Sequence, residues 1–254
     1  MPATTAPARR AWITGAGRGI GRALALRLAA DGWRVAASAR SAGELAALAA
    51  ETAGRVIPFP LDVTDSAAVA ATSAAIEARL GVVDLVVLNA GTYKPVTARS
   101  FSLEAWREMV DVNLIGTVNC LAAVMPEMIR RHAGHIAVVS SLTGYVGLPS
   151  AAAYGATKAA LINMCEALHP ELEAEGVRLS LVNPGFVDTP LTRKNDFPMP
   201  FLMPAEEAVD RIVAGLESGR FEIAFPRRMS VLIRLLALLP HPLRLAVTRR
   251  MVRP

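Results

Sequence analysis

Cysteine is nearly absent: Cys120 and Cys165 are the two in 254 residues. Both fall in apolar, helix-like stretches, so a disulfide framework is excluded and buried free thiols are expected. That usage fits a reducing, cytoplasmic setting. Residues 1–8 contain proline and threonine but no apolar core, so they read as a loose leader rather than a secretory signal. Acid is missing altogether from residues 226–254, which carry seven arginines: Arg227, Arg228, Arg234, Arg244, Arg249, Arg250 and Arg253. Removing those seven charges turns the formal net charge of +5 into −2 for the remainder. The body is therefore weakly acidic. It lacks a basic stripe interleaved with aromatics, so no nucleic-acid partner is expected. The apolar runs of the basic tail fall short of the ~20 residues that span a bilayer. No internal repeat is found, and no residues are assigned to a metal.

Apolar side chains make up 53% of the sequence, enough for one large domain with a substantial core. Short apolar runs alternate with helical patterns. Strands are expected to end at Thr14 and to cover residues 33–39, 56–61, 84–88, 135–140, 177–182 and 221–226. Helices are expected over 20–31, from a capping box at Ser41–Glu44, and over 67–80, 103–131 (bent at Pro126), 153–175, 206–217, 229–239 and 243–252. This alternation argues an α/β fold: a doubly wound, Rossmann-type parallel sheet of seven strands, with helices on both faces and a helical C-terminal extension. The expected domain covers 9–226, with a lid at 190–204 and the basic extension at 227–254. Right-handed crossovers put the loops after each strand on one sheet edge.

The run Thr14-Gly15-Ala16-Gly17-Arg18-Gly19-Ile20-Gly21 joins a strand to a helix. Glycines there permit a tight turn, and the helix start offers free N–H groups to a pyrophosphate. An NAD site usually places an acid at the end of the second strand. No acid lies between Gly32 and Gly43. Arg40, with Arg18, instead suits a 2′-phosphate, so NADP is expected over NAD; the alternative is that Arg40 is a solvated strand-end residue. Tyr154 and Lys158 stand four apart and share a helix face. A cation beside a phenol lowers its pKa from ~10, by roughly three units if it is to serve near neutrality. Ser141 lies upstream and could hold a carbonyl or alcohol.

Together these motifs resemble those of the short-chain dehydrogenase/reductase superfamily, single-domain branch, from Thr14 to about Thr189. The resemblance implies that Gly15, Arg18, Gly19, Ile20 and Gly21 hold the cofactor phosphates. Asp62 and Val63 would contact the adenine, and Asn89-Ala90-Gly91 would line the ribose. Pro184, Gly185, Val187 and Thr189 would grip the nicotinamide carboxamide. It assigns catalysis to Asn113, Ser141, Tyr154 and Lys158. Tyr154 would exchange a proton with the substrate, Lys158 would lower its pKa and hold the nicotinamide ribose, and Ser141 would polarise the carbonyl. Asn113 would hold a relay water. Blander readings stand beside these: Asp62 as a cap for the helix near Ser66, Asn89 as a backbone tie, Asn113 as an ordinary buried amide, and Ser140 competing with Ser141. The family also implies a homodimer or homotetramer.

Four features depart from the pattern or lie beyond it. Pro170 interrupts the helix after Lys158 and is expected to kink it. Phe197, Met199, Phe201, Leu202 and Met203 in the lid either wall an apolar pocket or pack down on the core; a hydrophobic or bulky carbonyl or alcohol substrate follows from the first. The Asp-Gly-Gly ending common in acyl-carrier-protein ketoreductases is missing. The basic tail has two readings: a cover over the pocket or a partner subunit, or a peripheral membrane contact. A catalytically silent NADP-binding regulator or scaffold is the alternative function. A sugar-nucleotide epimerase or dehydratase is disfavoured by the glycine spacing.

Overall fold

Short runs rich in Val, Ile, Leu and Ala fit the pleated, doubly buried environment of a parallel sheet. In the computed structural model, which describes residues 8–252, they form β1 (Arg10–Thr14), β2 (Arg34–Ala39), β3 (Val56–Pro60), β4 (Leu85–Leu88), β5 (His135–Val139), β6 (Arg178–Pro184) and β7 (Glu222–Phe225). All pairings are parallel, in the order β3-β2-β1-β4-β5-β6-β7. The order reverses between β1 and β4, which opens a crevice at the carboxyl ends of those two strands. The expected leader lies, apart from Ala8, outside the described residues.

Alternation along the strands splits the core in two. Ala11, Ile13, Val35 and Ala37 face α1 (Gly19–Ala30), α2 (Ala42–Ala50) and α7 (Ala205–Glu217). Trp12, Ala36, Val86 and Ile136 face α3 (Ser66–Leu80), α5 (Gly116–Arg130) and α6 (Ala152–Ala174). Trp12 is large and fully buried, and its indole N–H is satisfied by Ser38 Oγ at 2.9 Å. Cys120 and Cys165 sit in the second layer as free thiols, and burial pushes each up to about 12, so neither is a ready thiolate.

The long fourth helical stretch departs from expectation. It runs as α4 (Leu103–Val110), a π-helical turn (Asp111–Ile115) and α5, and α5 is continuous through Pro126. The irregularity sits at the π turn because the extra residue there turns Asn113 fully inward. The whole stretch is long and apolar enough to cross a membrane by composition. Its stripe of Cys120, Leu121, Val124 and Met128 is packed in the domain core instead. Pro170 likewise lies inside a continuous α6, which absorbs the one lost backbone bond.

His135 opens β5 at 4% exposure, with its Nε2 2.9 Å from Ser180 Oγ on β6. Burial, aided by Arg178, pushes its pKa down from 6.5 to about 4. The fold therefore holds this ring neutral while the unfolded chain takes up a proton as pH falls below 6.5. Stability from this group is complete above that value and is lost as pH falls toward about 4, on the order of 3 kcal/mol in all. Denaturant melts of His135→Gln should show a correspondingly flatter stability profile across that window. A profile identical to wild type would remove His135 from the acid response.

Candidate active site

The site is assembled from strand ends. Thr14 closes β1 and Asn89 follows β4, and the two are laced together across the switch point. Thr14 Oγ1 accepts from the backbone N–H of Asn89 and Ala90 at 3.0 and 3.1 Å. Asn89 Nδ2 donates to the carbonyls of Thr14 and Gly15 at 3.0 and 3.2 Å. Asn89 is thus committed to holding the glycine loop, the bland role foreseen for it. Gly15 has φ +66°, and a Cβ there would lie 2.8 Å from Ala90 Cα. At Gly21 a Cβ would lie 2.4 Å from the Gly15 carbonyl oxygen. The loop is therefore a cradle that any side chain would fill. Helix α1 begins at Gly19 with Arg18 as N-cap and no side-chain cap, and it carries no acid in its first turn. Unsatisfied N–H groups and the positive end of the helix dipole face this cradle, which fits a bound pyrophosphate.

Arg18 and Arg40 are both exposed at this corner. Glu44, the residue after Gly43, folds back against the loop: a Cβ on Gly17 would meet Glu44 Oε2 at 2.4 Å. The corner thus contains a carboxylate as well as two guanidiniums. Asp62 Oδ1 accepts from the N–H and hydroxyl of Thr64 at 3.0 and 2.9 Å. The cap of α3 is Asp65, through Ala68 N–H, so the capping alternative for Asp62 falls. Val63 is buried, and its side chain fills the space left by Gly116.

The residues expected to handle the proton converge behind Gly91. Asn113, 0% exposed, accepts from Thr92 N–H at 2.7 Å and donates to Thr92 O at 3.0 Å and Thr157 Oγ1 at 3.1 Å. A Cβ on Gly91 would stand 3.4 Å from Asn113 Oδ1 and 3.7 Å from Lys158 Nζ, so Gly91 lies directly beside both side chains. Lys158 is 3% exposed, donates to Val139 O at 3.0 Å and lies 5.5 Å from the centroid of the Tyr154 ring. Ser140 Oγ donates to Lys158 O at 2.8 Å and serves as a buried tie between β5 and α6. Ser141 heads the next turn. Its hydroxyl donates weakly to Thr143 Oγ1 and Pro184 O and interacts with Tyr154. Of the two serines, Ser141 is the one that lies against Tyr154, while Ser140 is tied to the α6 backbone.

Electrostatics reverse one expectation. Tyr154 was expected below its ordinary value; burial pushes it up to about 12, Ser141 pulls the other way, and Tyr93 adds to the rise. Burial brings Lys158 down to about 8. The ammonium lies against the ring face rather than beside the hydroxyl, and desolvation outweighs it. Tyr154 keeps partial exposure where Lys158 does not. At neutral pH the pair is accordingly a phenol and an ammonium.

Loops after β6 close the far side. Pro184 O meets Ser141, and Thr189 packs on Gly19, where a Cβ would lie 3.2 Å from its methyl. Val187 is buried and bridges to Met203, whose N–H donates to Phe186 O at 3.0 Å. The lid is thus pinned at both ends. Met203 is buried, and Phe197 packs edge-on to Phe186 with centroids 5.8 Å apart. Phe201 and Leu202 are exposed, at 43% and 44%, and do not wall a pocket here. Gly185 is covered by α8 (Arg227–Leu238): a Cβ there would lie 2.7 Å from Met229 Sδ.

Several residues escaped the sequence reading. Tyr93 stacks edge-on against Tyr154 at 5.3 Å, and burial together with the lid's Asp196 raises its pKa. Tyr145 accepts from Asn183 Nδ2 at 2.8 Å, which also donates to Glu222 at 3.0 Å. Arg234 of α8 pairs with Glu222 and lies over the Tyr145 ring. One signal was available: the chain's three tyrosines, Tyr93, Tyr145 and Tyr154, are all here. A cavity of about 640 Å³ lies instead at the amino ends of the strands, between Arg9, Trp33, Asp84 and Arg178. It touches none of these groups, and ligands of open parallel sheets bind at the opposite edge.

Known proteins place this arrangement. Residues 9–198 match the short chain dehydrogenase family. The chain is 42% identical over 246 residues to an uncharacterized oxidoreductase of Myxococcus xanthus, covering 96% of this chain and 97% of that one. It is 35% identical over 188 residues to a 3-oxoacyl-[acyl-carrier-protein] reductase of Staphylococcus aureus, 72% of this chain and 76% of that one. The crystal structure of a short chain dehydrogenase from Burkholderia cenocepacia in complex with NADP superposes with a TM-score of 0.83, at 31% identity over 97% of this chain and 98% of that one. With its seven-stranded parallel sheet, glycine cradle and Ser141, Tyr154 and Lys158 at one strand edge, the chain belongs to the short-chain dehydrogenase/reductase family of oxidoreductases.

Proposed function

We propose that the protein is an NADP-preferring oxidoreductase interconverting a carbonyl and a secondary alcohol on a hydrophobic or bulky substrate. The observation that carries the reaction is the convergence of Ser141, Tyr154 and Lys158 beside the glycine cradle. When bound, the nicotinamide supplies or accepts the hydride. Residues of the chain manage the proton. Tyr154, held as the neutral phenol, donates from its hydroxyl to the nascent alkoxide in reduction and becomes the phenolate; in oxidation it is that phenolate form that takes the alcohol's proton and returns to the phenol. Ser141 orients the carbonyl oxygen toward the phenol. Lys158 is charged at neutral pH and stabilises the phenolate left behind, and Gly91 lets it reach a ribose hydroxyl. Asn113 fixes the Thr92 backbone and Thr157 next to this group and so holds the floor of the relay.

Gly15, Gly19 and Gly21 would cradle the pyrophosphate, with Arg18, Ile20, Asp62, Val63, Asn89 and Ala90 along the adenosine half and Pro184, Gly185, Val187 and Thr189 at the nicotinamide end. Arg40 and Arg18 support NADP over NAD, in line with the NADP complex of the Burkholderia relative. Charge-assisted hydrogen bonds contribute about 1.5–3 kcal/mol each. Arg40→Ala should therefore lower NADPH affinity about 10- to 100-fold and leave NADH affinity nearly unchanged. Glu44→Gln should tighten NADPH by removing a like charge. Fluorescence titration reads both; equal affinity of wild type for the two cofactors, untouched by Arg40→Ala, would overturn the preference. The substrate class rests on Phe186, Phe197 and Met203 on the lid side. A panel should favour apolar ketones over small charged keto acids, and the reverse order would refute it.

A further inference from the structure

The tail is two short helices, α8 and α9 (His241–Arg249), of 12 and 9 residues. Their inner and outer sides differ in kind. The inner side of α8 is committed to the domain: Met229, Ser230 and Leu236 are buried, Met229 seats on Gly185, and Arg234 pairs with Glu222. Arg244 donates to Ala237 O at 3.2 Å and ties α9 to α8. The inner side is thus packed on the domain, and this fixes the orientation of the outer one.

The outer side is apolar and basic together. Val231, Leu235 and Leu238 recur at i, i+4 and i+7 and form a stripe with Leu232, and Leu238 is 80% exposed. Leu243 and Val247 continue it on α9. Arg227, Arg228, Arg249 and Arg250 are exposed around this stripe and make no ion pair among the described residues. Residues 226–254 contain no acidic side chain. A second copy meeting this face with its own would set arginines against arginines around the leucines, with no acid to offset them. Neither helix approaches the ~20 residues of a bilayer span. A surface that accepts apolar side chains at a shallow depth and guanidiniums just above them is the boundary of a bilayer with anionic headgroups.

We infer that the outer face of α8 and α9 docks the protein on an anionic lipid surface. The test uses the full chain in flotation with vesicles of phosphatidylcholine alone and of phosphatidylcholine mixed with phosphatidylglycerol. Binding is expected to the mixed vesicles, to weaken with added salt, and to be slight without the anionic lipid. Leu235→Glu with Leu238→Glu should lower partitioning at least about tenfold. Arg249→Glu with Arg250→Glu should do so by about tenfold or more. The second pair keeps the test sharp should the first perturb folding. NADPH binding should be unchanged in both, since none of these residues touches the crevice. Absence of binding to mixed vesicles, or binding that neither pair weakens, would overturn the inference. A lipid-free loss of oligomer mass in the leucine variant would do the same, marking the face as a subunit contact.

Discussion

Tyr154→Phe should lose turnover by about a thousandfold, within the ~10²- to 10⁴-fold range of a positioned acid or base, while keeping the fold and the cofactor. The Phe ring preserves the edge-on contact with Tyr93 at 5.3 Å and its place over Lys158. What disappears is the hydroxyl that gives the alkoxide its proton. One hydrogen bond is worth about 1 kcal/mol, so NADPH affinity should stay within about fivefold. The same account fixes a pH dependence. Phenol and ammonium are the working forms for reduction, and Lys158 loses its charge as pH rises through about 8. The phenolate formed on proton donation then loses its counter-charge. Reductive kcat/KM should fall above that pH, and it should not fall there through deprotonation of Tyr154, which burial holds at about 12. Steady-state kinetics on variant and wild type check both statements; near-normal turnover in Tyr154→Phe would sink the assignment of the acid.

Gly21→Val carries the second large effect. Its Cβ would enter within 2.4 Å of the Gly15 carbonyl and 2.5 Å of Asn89 Nδ2. Neither can yield freely. Gly15 is held in a left-handed conformation, and Asn89 is locked by the two hydrogen bonds that its Nδ2 donates to the loop carbonyls and the one that its backbone N–H donates to Thr14 Oγ1. The loop must move by a fraction of an ångström or more, and misplacement of that order costs on the order of a hundredfold in binding or rate. Overpacking should also destabilise by about 1–3 kcal/mol, a fall of roughly 2–10 °C in Tm for a chain of this size. Gly43→Ala is the control: nothing lies within 4 Å of its Cβ position, and it sits in the first turn of α2. It should bind cofactor normally and be unchanged or slightly stabilised. Equal cofactor affinity in Gly21→Val and wild type would mean that the cradle is not where the dinucleotide sits.

These two variants probe features that were legible in the sequence. The Gly15–Gly21 loop, the spacing of Tyr154 and Lys158 and the strand–helix alternation are local patterns, and local geometry determines them. The sheet came out with the expected number of strands, all parallel, and strand ends shifted by one or two residues. What the sequence hid depends on contacts between distant segments. The π turn at Asp111–Ile115 escapes a reading based on 3.6-residue periodicity, which sees α4 and α5 as one helix and looks to Pro126 for the bend. The i, i+4 spacing of Tyr154 and Lys158 places a cation near a phenol but says nothing of how dry the site is; burial decided the direction of both pKa shifts. Glu44 reaches Gly17 only because α2 folds back over the phosphate loop. The Tyr145–Asn183–Glu222–Arg234 chain joins a loop to β6, β7 and α8 and leaves no trace in any one of them. In the lid, composition alone could not separate Phe197, which packs on Phe186, from Phe201, which faces solvent.

The central claim is that this crevice moves a hydride between a nicotinamide and a carbonyl carbon while Tyr154 moves the proton. Label transfer tests it most directly. The protein should be incubated with NADPH carrying deuterium at the transferable position of C4 and an apolar ketone, and the alcohol analysed by mass spectrometry. The account predicts one deuterium on the carbinol carbon for each cofactor oxidised, and almost no product from Tyr154→Phe. An alcohol without the label, or equal product from the variant, would contradict it.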